Sequence, residues 1–437
     1  FLIMLGAMVA LINAAGGSAA FGKWAASHIK TRVGAQLSTF VLGVLIFIDD
    51  YFNCLTVGSV MRPVTDACKI SRAKLAYIID STAAPICMIA PISSWAAAVS
   101  ATASDLDNGM SGIQLFISAI PFNFYSLLTI VFVVALCIMG FDYGPMAKKE
   151  LEAYREGKSG SLGGEVRITN EKASLWDMMI PVIILIVCCI VGMLYVGGFW
   201  DSEADGYMSL IGAFADTSAS IGLPWGGIIA LVATVAYLVL RKVISFNRAM
   251  ECLIEGFKAM VPALLILTFA LTLKLTTTAL GADVFVAGLM EGAAASLFNM
   301  LPAIIFLVAV FLAFSTGTSW GTFGILIPIV TAIFATSDYT LMTIGISACL
   351  AGAVCGDHIS PISDTTIMAS AGANVNHIDH VNTQLPYALT VAGVSFVCFV
   401  IAGFVQNFLI CLAVGIILIV GILTVLKRTI GVNASAE

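Results

Sequence analysis

Long apolar runs joined by short polar stretches dominate the chain. Those near 177 to 197, 225 to 240, 259 to 280, 387 to 405 and 408 to 426 approach or reach the ~20 residues that a helix needs to cross hydrocarbon. Other apolar runs are interrupted. The most crowded interruption is Gly352-Ala-Val-Cys-Gly-Asp-His-Ile-Ser-Pro-Ile-Ser-Asp-Thr-Thr366, bounded on both sides by apolar sequence. Backbone polar groups and carboxylates are not left facing lipid, so such a stretch must line a protein-enclosed site. Gly356 and Pro361 disfavour a continuous helix, which puts Asp357, His358, Ser360, Asp364, Thr365 and Thr366 around an unwound break. The pattern predicts an all-α polytopic membrane protein; the short alternating strands of a β-barrel are not seen.

An internal repeat emerges when the chain is slid by 265 to 270 positions. Ala90-Pro-Ile-Ser-Ser-Trp95 sits against Ser360-Pro-Ile-Ser-Asp-Thr365, Pro121 matches Pro386 and Pro63 matches Pro328. Charge then sets orientation, because Lys and Arg accumulate on cytoplasmic loops. Lys23, Lys30 and Arg32 precede one apolar stretch, and Arg62, Lys69, Arg72 and Lys74 follow it, so both of its ends read as cytoplasmic. The matching loops of the second copy carry Asp283, Glu291 and Asp338 without Lys or Arg and read as external. Two inverted-topology repeats are therefore expected.

A stretch with both flanks on one side is a re-entrant helical hairpin. The first is expected at about 34 to 61, with Ile48-Asp-Asp-Tyr-Phe-Asn53 at its tip; the second at about 300 to 328, with Ser315-Thr-Gly-Thr-Ser-Trp-Gly321 at its tip. A discontinuous transmembrane helix follows each, at about 75 to 103 and 341 to 371. Alternation places Asp105 and Asp107 outside, and makes residues 141–176 a cytoplasmic linker whose Gly160-Ser-Leu-Gly-Gly164 reads as flexible. Asp201, Glu203 and Asp205 then fall outside, 209 to 221 forms a short re-entrant or interfacial piece, and His377, Asp379 and His380 lie in a solvated loop. The expected divisions are a first repeat at 1–140, the linker, a second repeat at 177–405, and a C-terminal helix and tail at 406–437. Residues 177 to 265 have no counterpart before Phe1, so the repeat implies roughly 90 further residues upstream.

Composition agrees with this pattern. Only 11% of residues are charged and 60% are hydrophobic, against roughly a quarter charged in soluble proteins. Basic residues are grouped by loop instead of forming a nucleic-acid footprint, so no nucleic-acid partner is expected; the lipid bilayer is one. The cysteines in apolar segments lack metal-ligand spacing and read as core thiols.

The candidate chemistry is that of a cation site. Adjacent carboxylates at Asp49 and Asp50 resist joint ionisation in a low dielectric, so one holds a proton or the pair shares a cation. The bland reading is a second shell bonded to helix ends. Asp80, Ser81 and Thr82 supply hard oxygens for Na⁺ or a polar substrate, or else play a structural part. Asn53 belongs to the first tip; Ser315, Thr316, Thr318 and Ser319 form a hydroxyl-rich second tip, or a stripe of small residues for close packing. His358 is either a proton acceptor or a neutral helix cap. Lys274 either serves function or snorkels to the interface. Trp95 and Trp320 are candidates for the wall of a pocket.

At these residues the sequence resembles the NhaC family of Na⁺/H⁺ antiporters. The matching stretches are Ile48-Asp-Asp-Tyr-Phe-Asn53, Thr56-Val-Gly58, Met61-Arg-Pro-Val-Thr-Asp66, Ile78-Ile-Asp-Ser-Thr-Ala-Ala-Pro85, Pro91-Ile-Ser-Ser-Trp95 and Gly356-Asp-His-Ile-Ser-Pro-Ile-Ser-Asp-Thr-Thr366. The resemblance implies a Na⁺-coupled secondary transporter of the bacterial inner membrane, not an enzyme, working as a homodimer by elevator-like movement. It implies no cofactor beyond Na⁺ as coupling ion, with Asp50, Asp357 and Asp364 as the first candidates to hold it. Some relatives exchange Na⁺ for H⁺ and others carry amino acids or small organic acids, so Na⁺/H⁺ antiport is the leading expectation and Na⁺-coupled transport of an organic solute the alternative. Intramembrane proteolysis would need two separated aspartates converging on a scissile bond and no duplicated hairpins. A passive channel would call for rings of pore charges, which the sequence lacks.

Overall fold

The computed structural model describes the chain except for residues 48, 92, 104–111, 158, 161–171, 205–206, 211–212, 214–216, 218, 282–296, 335–338 and 431–437. Asp105, Asp107, Asp205, Asp283, Glu291 and Asp338, which carry the expected outer charge, thus lie outside the described residues, as do the side chain of Lys274 and much of 209 to 221. Among the described residues six helices are long and apolar enough to cross a membrane: Trp176–Val196, Ile221–Leu240, Phe298–Thr316, Tyr339–Ile359, His377–Val405 and Phe408–Thr429. The bent pair Gly112–Phe122 and Phe124–Met139, 47° apart, makes a seventh if taken as one span.

Each half contains a helical hairpin followed by an interrupted helix. The first hairpin comprises Arg32–Leu45 and Asp50–Ala67, the second Leu301–Thr316 and Ser319–Phe334. The first broken helix runs through Arg72–Thr82, Ala84–Cys87 and Ser94–Ala103, the second through Tyr339–Ile359 and Asp364–Ala373. Local chemistry sets these ends. The hydroxyls of Thr31, Ser71 and Ser363 accept from the backbone N–H groups of Gly34, Lys74 and Thr366, capping three helix starts. Gly317 turns the second tip with φ of 67°, a conformation that favours glycine, and a side chain there would meet the Ile362 carbonyl.

Glycines let the arms approach closely. A Cβ on Gly352 would lie 2.5 Å from the Phe306 carbonyl oxygen, and one on Gly356 2.2 Å from that of Val310, so Leu301–Thr316 and Tyr339–Ile359 run side by side in the same direction. In the same way Tyr51 meets Asp364 and Gly58 meets Gly372, which makes Asp50–Ala67 parallel to Asp364–Ala373. Arg72, at the start of the first broken helix, donates to the carbonyl of Ala373, at the end of the second, over 2.8 Å. The broken helices are therefore antiparallel, and the hairpins enter from opposite faces. This is the expected architecture: an all-helical multi-pass membrane protein with two inverted repeats, each with a hairpin and a discontinuous helix. A second layer, in which Trp176–Val196 packs on Ala219–Leu240 and Leu2–Ala15 on Phe246–Ala279, flanks this centre.

Two expectations need correction. The start of the linker is no loose connector: Gly144–Glu156 is a helix, and Glu150 on it is buried against Arg32 and the backbone N–H of Ser71. The basic residues that read as loop charges are partly internal. Lys74 is buried and paired with Asp142, while Arg72 is buried and holds Asp66 through two nitrogens. A buried charge is tolerated only when it is paired; Asp142 reaches Lys74 from a distant part of the chain, while Asp66 reaches Arg72 from the end of the hairpin just before it.

Candidate ion-binding site

The first hairpin tip, the second hairpin tip and the second break meet in the protein interior. Asp49, Asp50 and Asn53 are fully buried at the first tip. The Asn53 amide shares its two hydrogens among the carbonyls of Gly43 (2.6 Å), Ile46 (3.0 Å) and Thr82 (2.9 Å), joining the unwound ends of hairpin and broken helix. Asn53 is thus a clamp. Asp50 lies beside it, with Asp49, Asp364 and Asp357 close enough to act on its charge.

Asp357 is buried in the last turn of Tyr339–Ile359. Its Oδ2 accepts from Ser319 at 2.8 Å and from Thr365 at 3.3 Å, so the second tip and the second break converge on one carboxylate. Asp364 opens the next helix segment, its Oδ1 accepting from the Thr365 N–H at 2.8 Å and its Oδ2 from the Tyr51 hydroxyl. Ser363 joins the Thr365 hydroxyl at 2.9 Å. Asp50 Oδ2, Asp357 Oδ1 and Thr366 Oγ1 are buried with no protein hydrogen-bond partner. Buried carboxylate oxygens normally have partners, and these are oriented by neighbours while keeping lone pairs free. Among the described residues no three His, Cys, Asp or Glu side chains are grouped to hold a metal ion by themselves. A cation here would draw on hydroxyl and carbonyl oxygens as well, the ligands a hard ion prefers.

A second polar cluster lies across the same break. Asp80 Oδ2 accepts from His380 Nε2 at 3.2 Å and from Gln384 Nε2 at 3.0 Å, and His358 Nε2 stands 4.0 Å away. Gln384 also donates to the His358 carbonyl at 2.6 Å, Tyr125 meets His358 Nδ1 at 2.8 Å, and Ser81 lies 3.5 Å from His358 Nε2. The adjacent residues Asp357 and His358 therefore serve different clusters, being about 100° apart around their helix.

Not every expected residue joins in. Ser315 and Thr316 are exposed, and their hydroxyls donate to the carbonyls of Phe311 and Leu312 one turn back. In a last helical turn that back-bond is the nearest acceptor, and it turns both side chains away from Asp357. The Thr82 hydroxyl likewise bonds to Ile78 and Ile79, leaving only its carbonyl to the centre. Thr318 caps Ser319–Phe334 through the Gly321 N–H, and Ser360 donates to the Phe314 carbonyl, tying break to tip. Trp95 is buried edge-on to Trp320, ring centroids 5.8 Å apart, immediately beside Ser319.

Five residues of these clusters were not anticipated: Tyr51, Tyr125, Ser363, His380 and Gln384. His380 was expected in a solvated loop, yet it is fully buried. Asn376 caps the N–H groups of Ile378 and Asp379, so the helix starts at His377 and carries His380 inward. The available signal was the spacing of His380, Thr383, Gln384 and Tyr387, a polar stripe on one helical face.

Crossed hairpins and broken helices around buried carboxylates define a membrane transporter. A sequence model described as the Na⁺/H⁺ antiporter family matches residues 87–404. The chain belongs to that family, and the protein is a Na⁺-linked transporter, as the NhaC-type motifs implied. An uncharacterised protein of Haemophilus influenzae is 39% identical over 434 residues, covering 98% of this chain and 82% of that one. A malate-2H(+)/Na(+)-lactate antiporter of Bacillus subtilis is 33% identical over 93 residues, 21% of this chain and 20% of its own length. Among solved structures, the YdaH transporter of Alcanivorax borkumensis aligns with a TM-score of 0.49 at 13% identity, covering 92% of this chain and 84% of that one.

Proposed function

We propose that the protein exchanges Na⁺ for H⁺ by alternating access, with Na⁺ held among Asp50, Asp357, Asp364 and the hydroxyls of Ser319 and Thr365. The observation that carries this reading is the pair of buried carboxylates, Asp50 from the first half and Asp357 from the second, with Asp50 Oδ2 and Asp357 Oδ1 left unpartnered and the half-buried Asp364 held between them by Tyr51 and Thr365. In a low dielectric, clustered carboxylates do not all stay ionised without a counter-charge, and either Na⁺ or H⁺ supplies it. Exchange follows from that competition. The two hairpins and broken helices move as one body against the flanking layer, in an elevator-like step that exposes the site to each side in turn. The protein works without a cofactor, as a homodimer in the bacterial inner membrane, with residues 141–176 on the cytoplasmic side.

In proteoliposomes an imposed Na⁺ gradient should drive an opposite pH change with no other solute present. Absence of that change would sink the exchange reading. Na⁺-coupled carriage of an amino acid or small organic acid is the second reading, favoured by the Trp95 and Trp320 wall beside Ser319 and by the short match to a malate/lactate antiporter. It requires Na⁺ flux that depends on the added solute.

A further inference from the structure

Two titratable centres flank the second break, and their chemistry differs. Around Asp357 the neighbours are carboxylates and hydroxyls; around Asp80 they are two imidazoles and an amide. His380 Nε2 faces a carboxylate oxygen and so carries its hydrogen there. In the neutral ring the Nδ1 lone pair is then free, and that atom is buried without a hydrogen-bond partner, as are Asp80 Oδ1 and Gln384 Oε1. Three orphaned atoms in one small, fully buried cluster are more than packing requires.

We infer that the pair of Asp80 and His380 is a proton-binding site separate from the cation site, and that it adds a proton to those exchanged per Na⁺. It offers Na⁺ too few oxygens, whereas imidazole is the side chain whose protonation ordinarily falls in the physiological range. With the His380 ring neutral, Asp80 leaves an uncompensated buried negative charge; a proton arriving at His380 Nδ1 turns this into a neutral ion pair, and its departure restores the charge. The other titratable or charged groups facing the pair are His358, 4.0 Å from Asp80, Tyr125 on the His358 Nδ1 with Cys355 beside it, Tyr77 stacked near His358, Tyr387 edge-on to Tyr77, the Lys74 and Asp142 pair beside Tyr387, and Cys54, Asp357 and Asp364, which act on the Asp80 charge from the side of the cation site. The peptide link between Asp357 and His358 joins the two centres, so movement of the break carries both ions.

The inference rests on the exchange reading, and the tests separate their failures. In proteoliposomes held at fixed voltage, the Na⁺ gradient that nulls a set pH gradient gives the H⁺/Na⁺ ratio. If the unaltered protein moves no H⁺ against Na⁺, the exchange reading fails. If it does, His380→Gln should lower the ratio by one while Na⁺/Na⁺ exchange of radioactive Na⁺ continues. An unchanged ratio, or loss of Na⁺/Na⁺ exchange together with the ratio, overturns the separate site. Should that variant not fold, nitrogen-15 histidine NMR of the unaltered protein in nanodiscs at saturating Na⁺ decides, because the chain has only 4 histidines. The exposed His28 and the half-buried His377 are assigned by substitution. The His380 imidazole, its signal told from that of His358 in a His358→Gln variant, should gain a proton while Na⁺ stays bound; a His380 that stays neutral throughout the working pH range overturns the inference.

Discussion

At the tip of the first hairpin Asp49, Asp50 and Asn53 are all fully buried; at the tip of the second, Ser315 and Thr316 are exposed and Ser319 turns inward. The two tips occupy related positions in an inverted repeat, yet one brings charge and a three-carbonyl clamp while the other brings a single hydroxyl. Duplication thus supplies a shared frame, and the chemistry is divided unequally within it. A symmetric pair of acidic tips would crowd more like charges around Asp357 and Asp364 than one monovalent ion compensates.

The steepest test of that division is the acidic side. Asp50→Asn and Asp357→Asn should each lower Na⁺ uptake into proteoliposomes by about 100-fold, the scale of losing a charged ligand. Full activity in either would remove the basis for an acidic tip. Asn53→Ala leaves three buried carbonyls without their donor and should lower stability by roughly 1–3 kcal/mol, seen as an earlier thermal transition in detergent. On the hydroxyl side, Ser319→Ala should weaken Na⁺ affinity by about 10-fold at unchanged maximal rate. A loss as large as that for Asp357→Asn would mean that the tips are equals. Smallest of all, Ser315→Ala and Thr316→Ala should leave transport rate and Na⁺ affinity unchanged; a clear fall in either would return those hydroxyls to the site.

Much of the frame was legible in advance. Gly356, Pro361 and a run of polar residues inside apolar sequence can be accommodated only at an enclosed break. The Lys and Arg bias separated the two copies before any contact was known, and the antiparallel broken helices joined by Arg72 and Ala373 agree with it. The carboxylates at Asp50, Asp357 and Asp364 stood out for the same reason. The hydroxyls did not sort themselves: Thr82, Ser315 and Thr316 satisfy their bonds within their own helices, while Ser319 and Thr365 spend theirs on Asp357. A list of oxygens does not say which way each one points.

Nor did the charges near the loops declare themselves. Lys74, Asp142 and Glu150 look solvated one at a time and become internal through partners distant in the chain. His380 is the sharpest case, because the carboxylate that explains its burial belongs to Asp80, 300 positions away in the chain. The amino-acid order alone determined that the chain crosses the bilayer repeatedly as helices, where they break and which acids lie at the breaks, since lipid penalises every exposed polar group wherever the chain goes. Which oxygens and imidazoles meet was decided only by tertiary packing, because a hydrogen bond reaches about 3 Å and no spacing along the chain reveals which distant partner will stand that close.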